Sequence, residues 1–342
     1  MSTLVSQFPS ASSSNAVAIQ QLGFGAMGMS AFYATPVTQE EGSALLDQLI
    51  SLPLQSEPTM IDTSNIYTRT PGNGDNERLI GHWIASNSSN RQKIFLATKF
   101  GIKADRTLGC SREDAIQSCQ ESLERLQTDV IDLFYCHRPD RNLGVESTAQ
   151  GLKELKESGK VRFVGVSEFN LDELKRTNDI VHIDALQIEL SPWTPDVLTN
   201  GIADWCSKNG TAVVAYSPLG RGALAGRFDS VADLPEDDWR RTNPRFQAEA
   251  FEKNLELVNA IKSIASKRGL TPGQVCLAWI MAQGQHYFPI PGTTNINRLQ
   301  ENAKAATVKL TADELRQVTE VTNQFKAVGD RYPAAMMAGT AF

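Results

Sequence analysis

From Val17 onward, short β-branched or apolar runs alternate with longer segments of helical period, and the cycle repeats eight times. The predicted strands cover residues 19–25, 59–63, 94–100, 130–136, 161–167, 185–190, 211–217 and 287–291. Helical patterns follow at 145–158, 171–181, 197–209, 251–268 with 272–282, and 298–306. Two earlier helices are announced by Thr38 three residues before Glu41 and Ser111 three residues before Asp114, each a capping-box spacing. Strict alternation with continuously apolar strands calls for a parallel sheet covered by helices. Eight repeats fit a closed (β/α)8 TIM barrel best, ahead of a doubly wound open sheet, which normally uses fewer strands. The barrel is expected over residues 17–326, between a flexible N-terminal tail (1–16) and a C-terminal tail (327–342) that folds over the barrel mouth or stays mobile. A long loop after strand 7, residues 220–247, reads as a lid or a disordered segment. An extra C-terminal helix is expected over 311–325.

The charge pattern narrows the class of partner. With 33 Lys and Arg against 39 Asp and Glu, the net charge is −6 and no basic block exists, which argues against nucleic acid or an anionic membrane. No apolar run approaches the ~18 residues of a membrane span. The five cysteines lack a CxxC pair, and the four histidines lack metal-ligand spacing, so neither a metal nor a disulfide framework is expected. The first basic residue is Arg69, so the Ser-rich start lacks the features of a targeting peptide. A cytoplasmic protein acting on a small molecule is the expectation; the oligomeric state stays open, with a monomer as the default.

Gly23-Phe-Gly25-Ala-Met-Gly28 matches the dinucleotide fingerprint GxGxxG in letters only. A working fingerprint opens a helix at once and needs an acidic residue about 20 positions later. Here a helix cannot start before Thr38, and the next strand ends near Asp62. The better reading is a strand end whose backbone must lie close to a ligand or another strand.

In a parallel barrel, chemistry gathers at the C-terminal strand ends. Three consecutive strands end in Asp62 with Tyr67 following, in Lys99, and in His137. Individually, Asp62 reads equally as a helix cap, Lys99 as a solvated cation and His137 as a satisfied polar side chain. Together they suggest more: a buried ammonium needs a carboxylate, and Asp62 on the neighbouring strand would supply it. Lys99 would then lower the pKa of Tyr67, whose hydroxyl would act as general acid, while His137 orients a substrate carbonyl. Proton donation to a carbonyl being reduced requires a hydride source, and a nicotinamide cofactor is implied.

With Gly165-Val-Ser167, Gln187, Tyr216-Ser-Pro-Leu219 and Ile290-Pro-Gly-Thr-Thr294 added, the chain resembles the aldo-keto reductases from about residue 17 to 325. It looks most similar to the long-loop branch that contains fungal pyridoxal-reductase-like, NADPH-dependent enzymes. The resemblance implies a catalytic tetrad of Asp62, Tyr67, Lys99 and His137. It also implies an extended NADPH/NADP+ cofactor, with Ser167 and Gln187 on the carboxamide and Tyr216 stacked on the nicotinamide. Ser217, Leu219 and Gly222 would line the pyrophosphate. Thr293, Thr294 and Arg298 would hold the 2′-phosphate, and Glu301 and Asn302 would approach the adenine. Two positions depart from the family pattern: Glu168 stands where Asn is frequent, able to accept from the carboxamide NH2, and Gly292, itself among the expected cofactor-binding residues, stands where Lys is frequent and removes one positive charge from the 2′-phosphate pocket. Arg298 has a second reading, as an exposed helix residue pairing with Glu301.

For the carbonyl substrate, Met29, Phe32, Tyr33, Phe100, Trp193, Phe228 and Trp239 offer an apolar and aromatic rim, or are core. Trp239 reads equally as a clamp on its own loop; Arg138 would receive a phosphate or carboxylate, or pair with Asp140. The function implied is reduction of an aldehyde or ketone, pyridoxal among the options. A non-enzymatic alternative is a regulatory subunit on the same fold that senses NADP(H), similar to the potassium-channel β-subunit.

Overall fold

The computed structural model describes residues 4–9, 16–32, 36–52 and 56–342; Tyr33 lies outside them. Ten strands are present among these: β1 (Val5–Phe8), β2 (Val17–Gln20), β3 (Phe24–Gly25), β4 (Thr59–Asp62), β5 (Ile94–Phe100), β6 (Ile131–Cys136), β7 (Val161–Ser167), β8 (Ala185–Glu189), β9 (Ala212–Tyr216) and β10 (Tyr287–Pro289). Strands β3 to β10 pair in chain order, every pair parallel. The first and last of them are joined where the Gly23 N–H donates to Pro289 O at 2.9 Å and the Gly25 N–H to Pro291 O at 3.2 Å, which closes the barrel.

That seam explains the glycine motif. A Cβ on Gly25 would sit 2.7 Å from Ile290 O, and one on Gly292 would sit 2.6 Å from Gly25 O. Gly292 is therefore a requirement of backbone approach, and the Lys frequent at this position in the resembled family would collide with the seam.

The helices are α1 (Gln39–Ile50), α2 (Asp75–Ser86), α3 (Arg112–Leu126), α4 (Val145–Glu157), α5 (Leu171–Asn178), α6 (Ile202–Asn209), α7 (Ala248–Ser266), α8 (Pro272–Met281), α9 (Ile296–Lys304), α10 (Ala312–Gln324) and the short α11 (Ala334–Met337). Thr38 and Ser111 form the predicted capping boxes, and Thr311 with Glu314 caps the extra helix α10. The sequence reading omitted α2, whose glycine-flanked start resembles an ordinary turn.

Two expectations need correction. Residues 19–25 are not one strand: β2 pairs antiparallel with β1, and only Phe24–Gly25 joins the barrel. The segment 1–16, expected to be loose, contains β1, and its Phe8 is fully buried against Phe95, Phe163 and Phe288 at centroid distances of 4.7, 5.4 and 5.4 Å. Apolar side chains inside a barrel leave an open end that water would wet, and this hairpin plugs it. The 220–247 connection is likewise ordered, as short 3-10 turns that bury Leu224, Leu234 and Phe246.

Because side chains alternate along a strand, every second residue points inward. Phe95, Ala97 and Lys99 are one such series; Leu133, Tyr135 and His137 are another, and Met60 is followed by Asp62. The apolar layers form the inner core, and above them β4 to β9 carry the polar Asp62, Lys99, His137, Ser167, Gln187 and Tyr216.

Phe8→Ala should lower the unfolding free energy by roughly 3–5 kcal/mol, whereas exposed Val5→Ala should change it by less than about 0.5 kcal/mol. Urea denaturation distinguishes these, and equally small effects would mean that the plug is not part of the cooperative core.

Candidate active site

Lys99 organises the polar layer. Its side chain is completely buried, and its Nζ donates to Asp62 Oδ1 at 2.5 Å, to Thr63 O at 2.8 Å and to Tyr67 Oη at 3.1 Å. Three acceptors for three N–H donors make the buried cation affordable in this position. Burial alone would lower the Lys99 pKa, but Asp62 and Tyr67 hold it above its ordinary value. Asp62 is raised by burial, against the pull of Lys99 and of Gln187, whose Nε2 donates to Oδ2 at 2.7 Å.

Tyr67 departs from the sequence expectation. Burial pushes its hydroxyl above the usual phenol value, and Lys99 offsets only part of that shift. The phenol is thus held protonated. Burial, with Arg138 and Lys99 nearby, keeps His137 well below the ordinary imidazole value, so its ring is neutral at physiological pH. The His137 Nδ1 lies 3.3 Å from Ser64 Oγ, and the ring stands edge-on to Tyr67 at 5.9 Å. The loop carrying Tyr67 is tied down from behind: Ser30 Oγ and the Asn76 N–H both donate to Tyr67 O, at 2.8 and 3.2 Å. Fully buried Asn76 also accepts from Thr63 Oγ1 and donates to Ala26 O and Ser30 Oγ. It belongs to α2, the helix missed in the sequence, so its positioning role was missed too.

The neighbouring strands continue the polar rim with Ser167, Gln187 and Tyr216. Ser167 Oγ accepts from Arg138 Nη1 at 3.2 Å, and Tyr216 Oη donates to Glu168 at 2.8 Å. Glu168 does something other than expected. It is fully buried, receives both Nη atoms of Arg331 at 3.1 Å, and accepts from the N–H groups of Ala341 (2.8 Å) and Glu189 (3.2 Å). These donors occupy its oxygens, so it is committed to the C-terminal segment and not to a carboxamide. Arg331 had no sequence signal: it lies far from the strands, in a segment without a motif. Tyr332 Oη donates to Tyr216 Oη at 3.2 Å, and Arg141 donates to Ala338 O and Thr340 O. Residues 329–342 therefore cross the barrel mouth.

Beyond β9 the backbone takes left-handed conformations at Ser217, Gly220, Arg221 and Gly222, in a tight turn where the Gly220 and Gly222 N–H groups donate to Ser217 O and Leu219 O at 2.9 Å each. Leu219 and Gly222 are buried there. Thr294 and Arg298 are exposed at the start of α9, whose N-cap Asn295 accepts from the Arg298 N–H, while Thr293 is buried. Glu301 accepts from Thr271 Oγ1 at 2.8 Å in place of an Arg298 pair, and Asn302 is buried beneath it. The exposed Arg298 guanidinium and Thr294 hydroxyl are donors that fit a phosphate group.

Of the expected pocket residues, Phe32 is exposed on the rim, 6.1 Å from Trp239. Met29 and Phe100 are core, and Phe228 packs beneath Arg240. Trp193 is buried under the long connection, against Phe246 and Gly220. Among the described residues no cluster of metal-binding groups and no helix long and apolar enough to cross a membrane occurs.

Residues 21–323 match the model of the Aldo/keto reductase family. The chain is 40% identical over 320 residues to aldo-keto reductase str7 of Strobilurus tenacellus, covering 92% of each. It is 38% identical over 322 residues to aldo-keto reductase yakc [NADP(+)] of Schizosaccharomyces pombe, again with 92% of each covered. Its fold superposes on a glycerol dehydrogenase of Gluconobacter oxydans with a TM-score of 0.81 at 22% identity, covering 98% of this chain and 99% of that one.

Breaking the buried Glu168–Arg331 pair by Glu168→Gln should cost roughly 3–5 kcal/mol and open residues 329–342 to limited proteolysis. Burial would raise Glu168, but Arg331 and Arg138 outweigh it and hold the carboxyl below its ordinary 4.5. Its contribution is therefore present above pH 4.5 and lost as pH falls through the folded-state pKa. The stability gap between wild type and variant should shrink in acid; a pH-independent gap would contradict the ionic reading.

Proposed function

The chain belongs to the aldo/keto reductase family, and we propose that it is an NADPH-dependent carbonyl reductase that converts an aldehyde or ketone to an alcohol. The observation that carries this reading is the contact of fully buried Lys99 Nζ with both Asp62 and Tyr67 Oη at the C-terminal end of the barrel strands. The named NADP(+) dependence of the yakc relative supports the choice of cofactor.

When bound, the cofactor supplies a hydride to the carbonyl carbon and is itself oxidised. Tyr67 donates its proton to the carbonyl oxygen, completing the alcohol. An alkoxide is a far stronger base than a phenolate, so a raised Tyr67 pKa still permits the transfer and keeps the donor loaded beforehand. Lys99, 3.1 Å away, stabilises the phenolate as it forms, and Asp62 keeps that ammonium in place. Neutral His137, with Nδ1 beside Ser64, keeps Nε2 for the substrate oxygen. Gln187 and Ser167 on β8 and β7 would hold the carboxamide, with Tyr216 against the ring. Ser217, Leu219 and Gly222 would line the pyrophosphate, and Thr293, Thr294, Arg298, Glu301 and Asn302 would surround the 2′-phosphate and adenine.

Phe32 would form part of the substrate wall, with Arg138 beside the reacting oxygen. Pyridoxal and simple aromatic aldehydes belong in the first substrate panel. The complete Asp62, Tyr67 and Lys99 contact set favours turnover over a purely regulatory role.

Tyr67→Phe should abolish NADPH consumption at 340 nm across an aldehyde panel while leaving NADPH affinity within a few-fold; retained turnover would overturn the assignment of the proton donor. Arg298→Ala should weaken NADPH by roughly 10- to 100-fold, as for loss of a charge-assisted contact, and NADH far less. Equal losses for the two cofactors would show that Arg298 does not read the 2′-phosphate.

A further inference from the structure

The barrel mouth holds four guanidinium groups, and their partners differ. Arg331 grips Glu168 with both Nη atoms. Glu189 lies 3.7 Å from Arg245 and 3.9 Å from both Arg221 and Arg331. Arg138 takes part in no ion pair among the described residues: its Nη1 donates to His137 O at 2.7 Å and to Ser167 Oγ at 3.2 Å, and its Nε and Nη2 donate to no described group. It does not pair with Asp140, whose carboxylate caps the N–H groups of Asn142 and Leu143.

Arg138 adjoins the reacting groups. Burial works against its charge, but Tyr216, Tyr332, Glu168 and Tyr67 outweigh that penalty, so the guanidinium stays charged in its place between His137 O and Ser167 Oγ. Gly339 crosses its stem, where an added Cβ would stand 3.5 Å from Arg138 Cδ. Glu168 favours the Arg138 charge through space, while its two oxygens hydrogen-bond to Arg331. The fold thus brings a cation to the carbonyl site without an ion pair among the described residues, and leaves its Nε and Nη2 for a bound anion.

On the reading of the site as a carbonyl reductase, we infer that Arg138 makes the pocket selective for carbonyl substrates that carry a carboxylate. Its two unused donor positions form the planar fork that a carboxylate accepts. One guanidinium without an ion pair matches one negative charge; a phosphate dianion would bring a second. The substrate class is therefore an aldehyde or oxo acid whose carboxylate reaches Arg138 while its carbonyl meets Tyr67 and His137.

The test compares kcat/KM for 4-carboxybenzaldehyde and its neutral isostere 4-carbamoylbenzaldehyde at saturating NADPH, in wild type, Arg138→Gln and Arg138→Lys. Wild type should prefer the carboxylate. The carboxylate-to-amide ratio should fall roughly 10- to 100-fold in Arg138→Gln, the worth of a charge-assisted hydrogen bond, and recover in part in Arg138→Lys. A ratio unchanged by Arg138→Gln, with weakened NADPH binding, would overturn the inference and make Arg138 a cofactor-positioning residue. Wild-type turnover of both aldehydes without preference would also overturn it while leaving the reductase reading intact. No wild-type turnover of either would remove the reductase reading and this inference together.

Discussion

A fully buried ammonium sets the terms for the rest of this structure. Lys99 has no access to water, so each of its three N–H donors must find an acceptor, and Asp62, Thr63 O and Tyr67 Oη are those acceptors. Satisfying the cation thereby holds the reactive phenol in place. It also needs the barrel, because Asp62 and Lys99 lie on adjacent strands and Gln187, the second partner of Asp62, lies nearly across from them. An open or slipped sheet would leave this charge stranded, which ties closure of the barrel to the integrity of the site.

The same alternation that fills the core builds the site. Inward positions carry Phe95, then Ala97, then Lys99 along β5, and Leu133, Tyr135 and His137 from β6 onward. Aromatic packing around Phe8 closes one end, so water reaches the polar layer only from the other. At that open end, residues 329–342 bind Glu168 through Arg331 and Ala341, adding a wall contributed by the chain's own terminus. A mouth closed on one side by such a segment excludes water from the reacting oxygen, which strengthens the charge interactions within it.

The (β/α)8 class, most strand and helix positions, and the grouping of Asp62, Tyr67, Lys99 and His137 were legible in the residue order, since periodicity and strand-end position are local properties. Capping boxes at Thr38 and Ser111 were equally readable. The split of residues 19–25 was not, because an apolar run does not reveal where its hydrogen-bond partner changes from β1 to the barrel. Nor was α2, hidden behind a glycine-rich turn, and with it Asn76.

The sequence by itself determined which side chains stand at the strand ends, because apolar runs and the breaks between them are local properties of residue order; which alternate side chains face inward was left to the closed barrel, since a strand apolar on both faces does not mark its phase. Tertiary structure decided the charge states and partners. Whether Tyr67 is lowered by Lys99 or raised by burial depends on how much water is removed, which residue order does not encode. Glu168 was read as a cofactor contact; it is an anchor because Arg331, 163 residues away, donates to both its oxygens. Gly292, read as a lost charge, proved to be the space that lets the last strand meet the first. Long-range approach and desolvation are properties of the folded whole.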